Sequence, residues 1–134
     1  MKKARTIAVV GASKNPEKEA HSVPAFLQDR GYQIVPVNPT AAEIFGVKAF
    51  PDLLSIPESL AREVDTVEVF RPSEELPAVA RSLVELSRAT GRKCIFWAQS
   101  GLENEEAKLI LDSAGIKYVM NACMRVVYPL AFSD

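Results

Sequence analysis

The chain has 134 residues, a formal net charge of -1, and 48% hydrophobic against 25% charged residues. That length fits one domain over 1–134, large enough to bury a core without disulfide or metal. The near-zero charge leaves no global basic field for nucleic acid or an anionic membrane surface. Two cysteines, Cys94 and Cys123, form no CxxC pair, and the single histidine, His21, cannot complete a zinc set with them. Reduced thiols in a cytoplasmic protein are the expectation.

Met1-Lys2-Lys3-Ala4-Arg5 opens the chain with a basic stretch. The apolar run behind it is only about five residues, short of the ~7–15 of a secretory signal, and no run approaches the ~20 residues of a membrane span. A first strand is read over roughly residues 5–10, where the unbroken apolar run Ile7-Ala8-Val9-Val10 has the pattern of a strand buried on both faces. The run ends in Gly11-Ala12-Ser13. A glycine at a strand's carboxyl end, followed by small residues and a helix, reads as a loop that approaches phosphates.

After Lys14-Asn15-Pro16, Val23, Phe26 and Leu27 mark a helical face, with Ser22 as its N-cap and Gly31 as its stop. Residues 33–37 form a second strand, ended by Asn38-Pro39; Pro36 lacks a donor, which is awkward inside a sheet. Residues 40–62 are irregular, with one helical turn expected over 41–45 and another over 51–56. Residues 64–70 alternate apolar and polar, which reads as a strand near a sheet edge. Residues 73–90 form the longest helix, with Leu76, Val79, Ala80, Leu83 and Leu86 along one side. A fourth strand covers 93–97. Asn104 caps a helix carrying Ala107, Ile110, Leu111 and Ala114, and a fifth strand covers 117–120.

Gly31, Gly91 and Gly115 each stop a helix shortly before a strand. Strands alternating with helices imply a doubly wound, three-layer α/β sandwich of Rossmann-like type with five parallel strands. The expected order is 3-2-1-4-5, with the first strand central and the ligand beyond the carboxyl ends where the winding reverses. Just past those ends stand Gly11-Ala12-Ser13, Asn38-Pro39, Phe70-Arg71, Gln99-Ser100-Gly101 and Asn121-Ala122-Cys123.

A dinucleotide fingerprint needs GxGxxG and a carboxylate at the end of the second strand. Here one glycine stands in the loop and Asn38-Pro39 where the carboxylate would be. A Walker A lysine motif and a GxSxG elbow are absent too. Glu103, Glu105 and Glu106 suit a helix start rather than an acid pair. Cys94 reads as inert core. Cys123 lies at the crevice with Arg125 as its candidate neighbouring cation, and reads by default as an unreactive thiol.

The ordered set Ile7 to Ser13, Asn15-Pro16, Gly31 to Pro39, Val69-Phe70-Arg71, Gln99-Ser100-Gly101, Asn104 to Ala107, Ala114-Gly115 and Asn121 to Met124 resembles the small stand-alone CoA-binding proteins. Their domain is similar to the nucleotide-binding domain of the succinyl-CoA synthetase α subunit. The resemblance covers almost the whole chain and implies coenzyme A, or an acyl-CoA, as a non-catalytically bound ligand. It implies phosphates at Gly11, Ala12 and Ser13 with Asn15 and Ser22 nearby, and adenine and ribose beside Val37, Asn38 and Pro39. It also implies that Phe70 and Arg71 flank the nucleotide, and that Gln99, Gly101, Asn121 and Cys123 lie toward the pantetheine. A monomer or homodimer is expected. Two alternatives stand beside this reading: a small NAD(P)- or other dinucleotide-dependent oxidoreductase, and a sensor of thiol or CoA redox state working through Cys123. Gly11→Val is expected to block the ligand while leaving the fold intact.

Overall fold

The computed structural model describes residues 6–124. Five parallel strands form the main sheet: β1 (Thr6–Val10), β2 (Gln33–Val37), and, after a small two-stranded hairpin of β3 (Glu43–Ile44) and β4 (Val47–Lys48), β5 (Val64–Val69), β6 (Ile95–Ala98) and β7 (Tyr118–Val119). Their spatial order is β2-β1-β5-β6-β7. Four α-helices connect them: α1 (Glu19–Asp29), α2 (Glu58–Ala61), α3 (Leu76–Thr90) and α4 (Glu105–Ser113). The α/β Rossmann-like class expected from the sequence is the one observed.

The side-chain alternation of a strand explains the layers. Every residue of β1 is buried. Ala8 and Val10 pack with Leu76, Ala80, Leu83 and Leu86 of α3 and with Leu111 of α4. Ile7 and Val9 point the other way, to Val23 and Leu27 of α1 and to Trp97 and Met124. Helix α3 supplies its stripe at helical spacing and stops at Gly91 in the left-handed conformation, φ 75°. Helix α4 starts where Asn104 Oδ1 accepts the Ala107 N–H at 2.9 Å. Complete burial of a leucine such as Leu83 contributes roughly 1.5–3 kcal/mol, so the α3 stripe is a main source of cohesion on its face.

The strand order departs from the expected 3-2-1-4-5. Numbering the five main strands along the chain, it is 2-1-3-4-5: β5 pairs with β1 on the side away from β2. The reason lies in Thr66 and Glu68, whose polar side chains give β5 the pattern of a half-exposed strand. Both are buried, Glu68 completely, so the alternation marked a polar residue in the interior and not a wet face. The central strand is therefore β5, and the winding reverses between β1 and β5. The same order removes the difficulty with Pro36. Strand β2 is an edge strand of the five, where a missing donor is tolerated.

Two local expectations also change. Residues 41–45 do not form a helical turn; Phe45 and Gly46, at φ 60° and 74°, make the tight turn of the β3–β4 hairpin. Ser22 is not the N-cap of α1. The helix begins at Glu19 with Lys18 as the capping residue and no side-chain capping bond, so Ser22 lies within the first turns.

A candidate site at the carboxyl ends of the strands

The loop after β1 is shaped by its glycine. Gly11 has φ 86°, and a Cβ there would lie 2.9 Å from the Phe70 carbonyl oxygen and 2.9 Å from Arg71 Cδ. Both the backbone conformation and the space demand glycine. The Gly11 N–H donates to Val37 O at 3.0 Å, and the Phe70 N–H donates to Val10 O at 2.9 Å. These bonds continue the ladder one step past the strands and bring the ends of β2, β1 and β5 to one point.

Pro24 sits inside α1 and has no N–H to offer Ala20 O, four residues earlier. That carbonyl instead accepts the Ser13 N–H at 3.2 Å. His21 Nδ1 donates to Ser13 O at 2.7 Å, which fixes the tautomer with a proton on Nδ1. Asn15 shapes the next turn: its N–H donates to Ser13 Oγ and its Oδ1 accepts the Glu17 N–H, each at 3.0 Å. The amides of Gly11 and Ser13 are thus used inside the chain. The first turn of α1 has no side-chain cap, and such a turn is where a helix has amide donors to offer an anion.

Asn38 ties the second strand end to the loop. Its Nδ2 donates to Ala12 O at 2.8 Å, and its Oδ1 accepts the N–H groups of Thr40 at 2.8 Å and Ala41 at 3.0 Å. Every polar atom of this amide has a structural partner, which accounts for an asparagine at this strand end. Arg71 lays its stem across Gly11. Its Nε and one terminal nitrogen donate to Glu75 Oε1 at 2.9 and 2.7 Å. The pair is about 40% exposed, so it contributes little to stability but holds a cation at the point where the strands converge.

Beside this point opens a cleft of about 230 Å³. Val10, Gly11 and Arg71 form one side, Val37 and Pro39 another. Pro51, Asp52 and Leu53 close it from the connection before α2, and Val79 and Ser82 from α3. Sequence reading reached Gly11, Val37, Pro39 and Arg71 but missed the other two walls. Their residues come from the irregular segment and from a helix, and no spacing rule links them to strand ends.

At the far strands the chain is also closely tied. Gln99 is buried; its Oε1 accepts the Met124 N–H at 2.9 Å, while its Nε2 has no partner among the described residues. Trp97 Nε1 donates to Ala122 O at 2.9 Å. Asn121, at φ 60°, accepts the Gly101 N–H on Oδ1 at 2.6 Å. These bonds hold half-buried Cys123 at the end of β6. Arg125, its candidate cation, lies outside the described residues. Cys94 is the inert thiol expected: it is buried, donates to Val64 O at 3.1 Å, and burial pushes its pKa up to about 11.

Glu68 is the residue that sequence reading missed most completely. It stands in the central strand between Val9 and Trp97, with neither carboxylate oxygen bonded among the described residues. Burial pushes its pKa up to about 8. The carboxyl group therefore keeps its proton at neutral pH.

A family model described as a CoA binding domain matches residues 5–129. The uncharacterized protein YneT of Bacillus subtilis is 41% identical over 128 residues, covering 96% of this chain and 88% of YneT. The ADP-forming acetate–CoA ligase II of Archaeoglobus fulgidus is 34% identical over 77 residues, 56% of this chain but 11% of the ligase. Among solved structures, cell-free ID.343 from Thermus thermophilus superposes with a TM-score of 0.82 at 37% identity, covering 96% of this chain and 91% of that one.

Proposed function

The chain belongs to the family of CoA-binding domains, and from that premise we propose that it binds coenzyme A or an acyl-CoA without transforming it. The observation that carries the reading is the glycine turn at the reversal of winding. Gly11 lets the Phe70 carbonyl and the Arg71 stem close in where the ends of β1, β2 and β5 meet, and the cleft it lines opens there, which is where open α/β sheets take their ligands. The pyrophosphate lies at the loop of Gly11, Ala12, Ser13 and Asn15, at the uncapped start of α1 that contains Ser22, with Arg71 as counter-charge. Adenine and ribose lie along Val37, Asn38, Pro39 and Phe70. The pantetheine runs toward Gln99, Gly101, Asn121 and Cys123.

Asn38 supports this ligand over NAD. A carboxylate at that position would grip the ribose of NAD, whereas Asn38 spends its side chain on the loop. The reading as a binder rather than an enzyme rests on how the acid–base groups are engaged. The His21 ring donates to Ser13 O, Glu68 is sealed in the sheet, and Lys108 is paired with Glu103 and Glu105 on the surface. Residence in the cytoplasm, as a monomer or homodimer, belongs to the same proposal; no helix among the described residues is long and apolar enough to cross a membrane.

Titration calorimetry with CoA, acetyl-CoA and NAD tests the reading, with native mass spectrometry of freshly purified protein for any retained ligand. Heat with CoA and none with NAD is expected. Heat with NAD alone would overturn it.

A further inference from the structure

We propose that Asp52 reads the base of the bound nucleotide and selects adenine through its 6-amino group; this rests on the coenzyme A reading and deepens it. The cleft beside Gly11 is walled mainly by apolar side chains, among them Val37, Pro39, Pro51 and Leu53. Such walls suit the faces of a flat ring but cannot distinguish one purine from another. Discrimination falls to the polar groups at the rim, and there the side chains of Asp52, Arg71 and Ser82 are available. Arg71 is tied to Glu75 and crosses the phosphate loop. Ser82 carries a hydroxyl, which donates or accepts as the ring requires. Asp52 alone is an acceptor with no donor of its own.

Its carboxylate is held in a fixed orientation. Oδ1 accepts the Ser55 N–H at 2.9 Å and the Ser55 hydroxyl at 2.8 Å, capping the single 3-10 turn Leu53–Ser55. Oδ2 takes no bond within the described chain and stays free as an acceptor on a residue that lines the cleft. A single fixed acceptor favours an amino group and repels a carbonyl oxygen. Adenine presents that amino group at position 6, and a purine without it has no donor to offer on that edge. The two-point grip by which a carboxylate can hold guanine on its N1 and N2 donors is closed off, because Oδ1 is already occupied.

The test compares ADP with purine riboside 5′-diphosphate, which differs only in lacking the 6-amino group, by calorimetry on the wild type and on Asp52→Asn. Asparagine keeps Oδ1 for the Ser55 bonds but replaces the free acceptor with an amide donor, so the 53–55 turn and the melting temperature are expected to be retained. The wild type should prefer ADP by about tenfold, the weight of one hydrogen bond to a charged acceptor. In Asp52→Asn that ratio should fall to one or invert. An unchanged ratio in the variant, with CoA still binding to both proteins, would overturn the role of Asp52 and leave the CoA reading standing. A wild type that gives no heat with CoA or with ADP would overturn both.

Discussion

Glu68→Gln should remove a large pH dependence of stability. In the folded chain the carboxyl holds its proton up to about pH 8, while its ordinary value is 4.5. Below pH 4.5 the group is protonated in both states and costs nothing. As pH rises through the window from 4.5 to 8, the unfolded chain releases the proton and the folded chain keeps it, so unfolding is progressively favoured. Above pH 8 the loss is complete. At 1.36 kcal/mol per pH unit, the full window corresponds to on the order of 5 kcal/mol, comparable to the lower end of a domain's whole stability. Glutamine has nearly the same shape and does not titrate, so its own cost of burial is the same at every pH. The assay is urea unfolding of both proteins at pH 5.5, 7.0 and 8.5, with the difference between them plotted against pH. The wild type should lose stability relative to Glu68→Gln by several kcal/mol across the series. Parallel profiles would show that Glu68 is solvated or paired in the folded chain, and the argument from its burial would fail.

Gly11→Val should not leave the fold intact, as the sequence alone suggested. Even Gly11→Ala places a Cβ against the Phe70 carbonyl at an unfavourable φ, so its melting temperature should drop by several degrees, measured by calorimetry. Arg71→Met should weaken CoA by about tenfold or more through loss of a charge-assisted bond, with no change in melting temperature because the Arg71–Glu75 pair is surface-exposed. Asn104→Ala should cost about 1 kcal/mol in urea unfolding through loss of the α4 cap. In the native protein a maleimide should label Cys123 and spare Cys94 until denaturant is added, as read by peptide mass mapping; equal labelling would contradict the burial of Cys94.

The class of fold was legible in the sequence because its signals were local. The four-residue apolar run Ile7–Val10 of β1, the glycine stops at Gly31, Gly91 and Gly115, and the Asn104 cap each act within one element and its neighbours. The strand order was not legible, because it turned on whether Thr66 and Glu68 face water. A buried carboxyl that survives by keeping its proton has no signature in a pattern of polar and apolar letters. The hairpin of residues 43–48 was hidden for a similar reason. Its turn uses Phe45 in a conformation that Asn or Gly would normally announce. Of the candidate site, the strand-end residues could be found by counting from each strand. Asp52 and Ser82 could not, since only the packing of the 51–55 segment and α3 against β1 and β2 brings them to the same cleft.

Pro24 gives the loop after β1 a property that neither the loop nor the helix would have alone. A proline in a helix ordinarily weakens it by stranding one carbonyl; here the stranded oxygen of Ala20 is claimed by the Ser13 amide. The helix thereby acts as a template for the loop, and the two cannot shift independently without leaving a polar group unmatched. The turn at Ser13 is consequently set by the chain itself, and its order is inherited from a helix whose buried side, Val23 and Leu27, is anchored in the core. Binding there need not spend free energy on arranging the loop.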